Sequence, residues 1–279
     1  MQVVKIRLFE SQCSGIILSC NNFKKDSYSN YVIITVAHLS KDLFEKIEEN
    51  KLQNNIKSYI CFDIFNTEKT LISKNDYEIE DYFVSGSILN EDDVLCFYVK
   101  VKDRHSIDGK VKISNSDYFG GVLTEGFPNV SNSHIIDLKG GICKKTDEVD
   151  YVSSYRISDD YHYYESISDL RIMEGLSGAP VFNENSELLG INQSIPYFSN
   201  GENPFKIVNY IAINHIFNHL RENNCIVYSF IDDNVKLKWI KNQNENRKEI
   251  SAMVIGGSGA GKSSLISQFI YDNNIIAIW

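Results

Sequence analysis

Hydrophobic positions along residues 1–200 come in short runs that fit β-strands, with polar loops between them. Residues 3–9 alternate apolar and polar side chains, and residues 15–20 and 31–37 are continuous apolar runs of strand length. The same pattern predicts further strands at residues 58–64, 69–73, 94–101, 110–113, 122–126, 134–138, 151–157, 180–183 and 188–193. Many short strands at close spacing are typical of a sandwich or a barrel and not of an α/β sheet.

The period of the hydrophobic positions becomes helical near residue 211. A helix over residues 211–223 is predicted, closing the β domain, and its apolar face would carry Ile213, Ile216, Phe217 and Leu220. A shorter charged helix is predicted over residues 41–51. The acidic run Glu78–Asp81 is predicted to be a solvated loop.

The chain changes character after a run of nine polar residues, 241–249. We therefore predict a first domain over residues 1–228, a linker over residues 229–249 and a second segment over residues 250–279. In that segment, a strand at 250–255 is followed by a glycine-rich loop and a helix at 262–271.

Composition restricts the classes of function. The 279 residues are 43% hydrophobic and 23% charged, which predicts a globular chain. The net charge of −9 argues against a nucleic-acid-binding surface as a main function. Six scattered cysteines form no C-x-x-C pair, so no metal site is predicted. No secretory signal and no apolar run of 18 residues is visible, which predicts a cytoplasmic protein with reduced thiols and no membrane partner.

The stretch Gly175-Leu176-Ser177-Gly178-Ala179-Pro180 carries the strongest candidate chemistry. Glycines around Ser177 leave room for a second molecule, and the backbone N–H groups of Gly175 and Ser177 could form an oxyanion hole. A glycine-rich turn before a strand is the plain alternative. A serine nucleophile also needs a base and a group that orients the base.

Candidates for both partners lie at the ends of predicted strands. His38 follows the apolar run 31–37, where a rigid strand end could hold a base. Asp92 and Asp93 both precede the apolar run 94–98, and the alternation of the strand does not decide between them.

At these residues the chain resembles the trypsin-like, chymotrypsin-fold serine peptidases. Thr35-Val36-Ala37-His38 is similar to the family's T-A-A-H, Asp93-Val94-Leu95 to its D-I-A-L, and residues 175–180 to its G-D-S-G-G-P. The resemblance selects Asp93 over Asp92, covers residues 1–225 in element order, and includes the turn Gly126-Phe127-Pro128. It implies two six-stranded antiparallel β-barrels with a C-terminal helix, and a cleft site in which His38 is the base, Asp93 orients it and Ser177 attacks a peptide bond.

Departures from the family pattern are also informative. Leu39 and Met173 stand where secreted members have cysteines, which agrees with a reducing compartment. Leu176 replaces the aspartate that pairs with a new N-terminus in zymogens, so activation by that route is not expected. By position, the resemblance places Arg171 at the base of the primary specificity pocket, where it would favour acidic residues, although a surface arginine is the commoner outcome. Ser194 lies in a segment that could pair with an extended substrate.

The second segment contains Gly256-Gly257-Ser258-Gly259-Ala260-Gly261-Lys262-Ser263, which matches G-x-x-x-x-G-K-S between a strand and a helix. It resembles the Walker A start of P-loop NTPases, with Gly256, Gly261, Lys262 and Ser263 as nucleotide-binding candidates. One strand and one helix cannot bury a core. We therefore expect this chain to be the N-terminal part of a longer protein, in which ATP and Mg²⁺ would bind the complete NTPase domain, while the peptidase itself needs no cofactor.

A peptidase followed by a P-loop segment resembles the layout of bacterial NLR-like (STAND or NACHT) defence proteins. The sequence therefore predicts an intracellular serine endopeptidase that acts on protein or peptide substrates and is regulated by its NTPase region through oligomerisation. The alternative is a catalytically silent trypsin-like fold that binds peptides as an interaction module. His215 and His219, four residues apart, are predicted to be solvent-exposed and not metal ligands, and the cluster Tyr161–Tyr164 is predicted to be a packed loop.

Overall fold

The structure of the chain is a computed structural model that describes the following residues: 2–8, 11–21, 27–40, 56–85, 93–114, 118–128, 136–144, 152–157, 175–194, 207–231 and 234–241, with residues 264 and 267. The predicted helix at 41–51, the tyrosine cluster at 161–164 and the strand-loop-helix segment at 250–271 lie outside them, apart from those last two residues. Across the described ranges, no helix is both long and apolar enough to span a membrane.

The described residues form an almost entirely β structure, which confirms the predicted all-β class. The helix α1 spans Ile213–Glu222 and buries the four predicted apolar residues. The strands are β1 (Val3–Leu8), β2 (Ser11–Cys20), β3 (Tyr28–Thr35), β4 (Ile60–Asp63), β5 (Tyr77–Val84), β6 (Leu95–Lys102), β7 (Gly121–Gly126), β8 (Ile136–Lys144), β9 (Val152–Ile157), β10 (Pro180–Asn183), β11 (Leu188–Ser194), β12 (Ile207–Ala212), β13 (Ile226–Ile231) and β14 (Asn234–Trp239).

The second half of the β structure is a closed barrel of six antiparallel strands, in the order β10-β11-β12-β9-β8-β7. This barrel confirms one of the two predicted barrels. Its apolar interior contains Val122, Ile142, Tyr155, Ile157, Leu176, Val181, Val208 and Tyr210. Helix α1 follows β12 directly, and its buried face packs into the core that the barrel shares with the first sheet.

The first half is an eight-stranded sheet and not the predicted closed six-stranded barrel. Its main path is β13-β14-β2-β3-β6-β5, and β1 pairs with both β2 and β4. β4 and β5 are not paired by backbone hydrogen bonds. Instead, the backbone N–H of Phe62 donates to the Tyr77 hydroxyl at 2.9 Å. Within the described ranges from residue 2 to residue 241, the fold thus consists of one closed barrel, one open sheet and one α-helix.

The β13–β14 hairpin differs from the prediction that a linker begins at residue 229. Strand β14 lies beside β2, and Trp239 is only 1% exposed because its ring stacks on Tyr98 at 5.7 Å and its Nε1–H donates to Asp81 at 3.0 Å. The alternation of Val235, Leu237 and Trp239 with lysines is a half-buried strand pattern, which the neighbouring polar run obscured. Strand β14 therefore belongs to the sheet and not to a linker.

Other sequence predictions also need correction. The acidic run Glu78–Asp81 is part of β5, where Tyr77 and Ile79 are buried and the acidic side chains alternate with them. The predicted strands at 69–73 and 110–113 contain only isolated bridges, Phe65 with Leu71, Lys112 with Asn234 and Ile113 with Leu188. Strand β12, which the sequence pattern did not predict, completes the barrel.

Candidate active site

His38 and Asp93 lie at neighbouring ends of two antiparallel strands. Strand β3 ends at Thr35, which pairs with Leu95, the first residue of β6. The chain that leaves β3 and the chain that enters β6 are therefore side by side. This arrangement brings together two residues that are 55 positions apart in sequence.

The carboxylate of Asp93 binds both the ring and the backbone of the histidine segment. Its Oδ2 lies 2.7 Å from His38 Nδ1, and its Oδ1 accepts the backbone N–H groups of Ala37 and His38 at 2.8 Å each. Asp93 is 0% exposed, whereas 20% of the His38 side chain is exposed. Because a carboxylate only accepts hydrogen bonds, Nδ1 carries the proton and Nε2 is left as an acceptor. Asp92 lies outside the described residues.

Ser177 lies in a tight loop that leads into β10. The φ angles of Gly175 and Gly178 are +92° and +82°, in the left-handed region that glycine adopts without a steric penalty. The N–H of Gly178 donates to the Asn192 carbonyl at 2.7 Å, which fixes the loop to strand β11 of the barrel. The glycines predicted to leave room around Ser177 therefore also meet a conformational requirement.

The same loop packs on the first sheet. Ser14 N–H donates to the Ser177 carbonyl at 2.9 Å. A Cβ atom at Gly178 would lie 2.1 Å from Thr35 Oγ1 and 2.2 Å from the Ser14 carbonyl oxygen, so only glycine fits there. Because Thr35 is three residues before His38, these contacts place the serine loop against the strand that carries the histidine.

The side chain before the serine fixes the loop to the interior of the barrel. Leu176 is 3% exposed and packs among the apolar core residues of the six-stranded barrel. A Cβ at Gly126 would lie 2.6 Å from Leu176 Cδ2, which shows how closely the leucine fills its site. Apolar packing therefore holds the loop where the resembled family has an aspartate that forms an ion pair.

The backbone N–H groups of Gly175 and Ser177 donate to no acceptor within the described parts of the chain. Two such groups, two positions apart on a tight loop, are the kind of donors that an oxyanion requires. Among the same residues, no hydrogen bond joins Ser177 Oγ to the His38 ring. Hydrogen bonds between nucleophile and base are commonly long before substrate binds.

The remaining predicted site residues are only partly described. Ser194 ends strand β11, and its hydroxyl accepts a bond from Asn209 Nδ2 at 3.3 Å. Arg171 and the glycine-rich loop with Gly256, Gly261, Lys262 and Ser263 lie outside the described residues.

No metal-binding cluster is found in the part of the chain that the structure describes. No group of three or more His, Cys, Asp or Glu side chains there could hold an ion. The rings of His215 and His219 are stacked with their centroids 6.3 Å apart, and the His219 ring also contacts Phe83 at 5.6 Å. The two histidines are half-buried and make aromatic contacts, so the prediction that they are solvent-exposed is wrong.

Two buried residues near the serine loop were not predicted from the sequence. Ser14 is 0% exposed and bonds to the loop, and Asn192 is 3% exposed and bonds to Thr124 and Tyr155 inside the barrel. A small polar residue followed by Gly15 inside an apolar strand is a signal for close backbone approach, and it could have drawn attention to Ser14.

The buried thiol of Cys13, next to Ser14 in the sequence, is unreactive at neutral pH. Burial raises the pKa of Cys13 to about 12, so the thiol beside Ser14 stays protonated at neutral pH and does not act as a rival nucleophile.

No protein-family model and no curated protein sequence matches this chain. Among solved structures, the inactive form of the Rv3671c protease of M. tuberculosis is similar at 15% identity and a TM-score of 0.45, covering 79% of this chain and 88% of that chain. Deg5 is similar at 15% identity and a TM-score of 0.47, covering 78% and 86%. The serine endoprotease from Yersinia pestis is similar at 16% identity and a TM-score of 0.45, covering 82% and 66%.

Proposed function

We propose that this chain is a serine endopeptidase in which Ser177 is the nucleophile, His38 the general base and Asp93 the residue that orients the base. The observation that carries the proposal is the buried Asp93 carboxylate, which accepts His38 Nδ1 at 2.7 Å and two backbone N–H groups at 2.8 Å. Three bonds to one carboxylate hold the ring in one tautomer and one orientation. A surface ion pair would need neither the burial nor the backbone bonds.

The first half of the proposed reaction forms an acyl-enzyme. Nε2 of His38 takes the proton from Ser177 Oγ as Oγ attacks the carbonyl carbon of the scissile bond. The carbonyl oxygen becomes an oxyanion, which the N–H groups of Gly175 and Ser177 stabilise. The imidazolium then gives its proton to the leaving nitrogen as the C–N bond breaks, and Asp93 stabilises the transient positive charge.

The second half releases the acyl group. Water enters the site after the amine has left, and His38 takes a proton from it. The oxygen of that water attacks the ester carbonyl, the bond between the acyl carbon and Ser177 Oγ breaks, and Oγ recovers the proton from His38. A carboxylic acid leaves, and every group returns to its starting protonation state.

A fluorophosphonate probe tests the proposal, because it reacts with activated serines and needs no knowledge of the substrate. We expect intact-mass labelling of the wild-type chain, and loss of labelling in Ser177→Ala and His38→Ala. Ser186→Ala and His219→Ala are matched controls, since Ser186 lies in the exposed β10–β11 turn and His219 on α1. Both controls should label like wild type.

An unlabelled wild-type chain that unfolds cooperatively would contradict the peptidase proposal. It would favour the alternative of a silent fold that binds peptides. The observation that supports this alternative is that, among the described residues, no hydrogen bond joins Ser177 Oγ to the His38 ring. Binding of unlabelled peptide libraries by the Ser177→Ala variant distinguishes a binding module from an inert fold.

The preferred substrate is proposed to be a protein or peptide with an acidic residue before the scissile bond. The proposal uses the charge of Arg171, and it assigns the end of strand β11 at Ser194 as the edge that pairs with the extended substrate. Matched libraries with Glu, Gln and Lys at that position test it. Equal cleavage of the Glu and Gln peptides would contradict a role for a cation.

Regulation by a nucleotide-binding region is the remaining part of the proposal. It rests on the sequence motif that includes Gly256, Gly261, Lys262 and Ser263, and it places the protein in the bacterial cytoplasm as an effector of a defence or signalling protein. In a protein that contains an NTPase domain with this motif, ATP and Mg²⁺ should change both the labelling rate and the oligomeric state. A labelling rate that is unchanged by Lys262→Ala and by nucleotide would contradict this regulation.

A further inference from the structure

Ser14 joins three segments of the chain at the candidate site, and all of its polar atoms are engaged. It lies on β2, is 0% exposed and pairs with Lys5 of β1. Strand β3 ends at Thr35, so the opposite edge of β2 is not covered by a strand at this point. The serine loop uses that edge, since Ser14 N–H donates to the Ser177 carbonyl at 2.9 Å. The Ser14 carbonyl accepts a bond from the Thr35 hydroxyl, at the end of β3, at 2.7 Å.

The Ser14 hydroxyl completes the junction. It donates to the Gly175 carbonyl at 2.7 Å and accepts the Phe127 N–H at 2.8 Å. A hydroxyl has one proton to donate, and this one is directed to the peptide that begins the serine loop. Phe127 N–H supplies the second bond that fixes the position of the oxygen, and Phe127 is itself 2% exposed.

The bonded carbonyl belongs to the residue whose N–H is proposed to stabilise the oxyanion. Gly175 has a φ of +92°, and glycine reaches φ values of both signs at little cost. A loop that contains such a residue can rearrange unless another group holds it. A carbonyl held by the Ser14 hydroxyl limits how far the peptide groups of Gly175, and with them its N–H, can turn.

We propose that Ser14 is a positioning residue for the oxyanion hole, acting through the Gly175 carbonyl and the Ser177 carbonyl. This inference rests on the proposed function of Ser177. The Ser14 hydroxyl packs closely against Gly126, where an added Cβ would lie 2.9 Å from Ser14 Oγ. Ser14 thus connects the sheet that carries His38 to the loop that carries the nucleophile.

The test compares Ser14→Ala with Ser114→Ala in the 279-residue chain. Ser114 is a matched control because it is 5% exposed and its hydroxyl accepts Asn183 Nδ2 at 2.9 Å, at a position away from the serine loop. Fluorophosphonate labelling gives two independent values, the rate of reaction and the final labelled fraction. We expect Ser14→Ala to lower the rate by about 10-fold or more, since preorganised donors dominate oxyanion stabilisation. The final labelled fraction should stay complete, and Ser114→Ala should keep the wild-type rate.

In the labelling experiment, two results would overturn the inference. One is an unchanged labelling rate in Ser14→Ala when the wild type is labelled. The other is a lower final labelled fraction with an unchanged rate, accompanied by an equal drop in thermal midpoint in both alanine variants, because a purely structural serine changes the amount of folded protein and not its reactivity.

Hydrogen exchange separates this inference from the proposed function. Exchange of a peptide that covers residues 175–183 should be faster in Ser14→Ala than in the wild type and in Ser114→Ala. A wild-type chain that resists labelling but shows this exchange difference would remove the peptidase function and keep Ser14 as the group that holds the loop. Equal exchange in all three proteins would overturn the positioning role whether or not the wild type is labelled.

Discussion

Replacing Asp93 by asparagine should abolish activity without unfolding the protein. The side-chain oxygen Oδ1 accepts two backbone N–H groups, from Ala37 and His38, at 2.8 Å each. An asparagine would keep its carbonyl oxygen there, because turning the amide would leave two buried N–H groups unpaired, at a cost of about 1–3 kcal/mol each. The amide NH₂ would then face His38 Nδ1, where the carboxylate oxygen lies 2.7 Å away in the wild type.

That orientation changes the tautomer of the histidine. An NH₂ group donates, so Nδ1 must become the acceptor and the ring proton moves to Nε2. A protonated Nε2 cannot take the proton of Ser177. Loss of the correct tautomer in a Ser-His-Asp site lowers kcat by about 10⁴-fold, which corresponds to about 5.5 kcal/mol.

The assay is the rate of fluorophosphonate labelling, measured beside the free energy of unfolding in urea. Asp93→Asn should lose nearly all reactivity and keep stability within about 1 kcal/mol. Asp93→Ala should lose reactivity as well, and it should also lose about 2 kcal/mol or more of stability because both backbone N–H groups become unpaired. An asparagine variant that reacts within tenfold of wild type would refute this account of the tautomer.

Three further outcomes follow from particular contacts. Trp239→Ala should destabilise the fold by about 3–5 kcal/mol in urea unfolding, because Trp239 is 1% exposed. Phe119→Ala is the control, since it removes a ring at a residue that is 65% exposed, and its stability should stay within about 0.5 kcal/mol of wild type. Equal effects of the two substitutions would mean that the β13–β14 hairpin is not part of the fold. Hydrogen bonds from Arg104, His105 and Lys102 hold the pKa of Asp76 well below its usual range, so its stabilisation is complete above the unfolded value of 3.8 and is lost as the pH falls below it. The thermal midpoint of Asp76→Asn should therefore fall less than that of wild type between pH 5 and pH 2, and parallel curves would contradict this. Leu176→Asp should lower both the thermal midpoint and the labelling rate, since it puts a charge into the apolar interior of the barrel, whereas Leu176→Met should keep stability within about 1.5 kcal/mol.

The all-β class and the closing helix could be predicted from the sequence because both are local patterns. Apolar runs of strand length bounded by polar loops do not depend on distant partners, and the helical period of Ile213, Ile216, Phe217 and Leu220 corresponds to the buried face of α1. The candidates His38, Asp93 and Ser177 were also found locally, at the ends of strands and in a glycine-rich turn. Their proposed roles came from resemblance and chemistry.

Strand pairing could not be predicted in the same way. Whether β4 meets β5 to close a barrel, and whether β14 adds beside β2, depends on contacts between residues far apart in sequence. The strand β14 was missed because its lysines make it resemble the polar run that follows, and only the packing of Trp239 on Tyr98 shows it as part of the sheet. Burial decides such cases, and burial is a property of the assembled chain.

The sequence by itself determined which residue types were available at the candidate site, and tertiary structure decided how they are held. An aspartate directly before an apolar run is visible in the sequence, but the two backbone bonds to its Oδ1 exist only because the end of β3 lies beside the start of β6. Ser14 shows the same division more strongly, since nothing in its neighbours along the chain specifies a bond to Gly175, 161 positions away. Long-range hydrogen bonds need partners that only folding brings within reach, which is why they could not be inferred from the order of the residues.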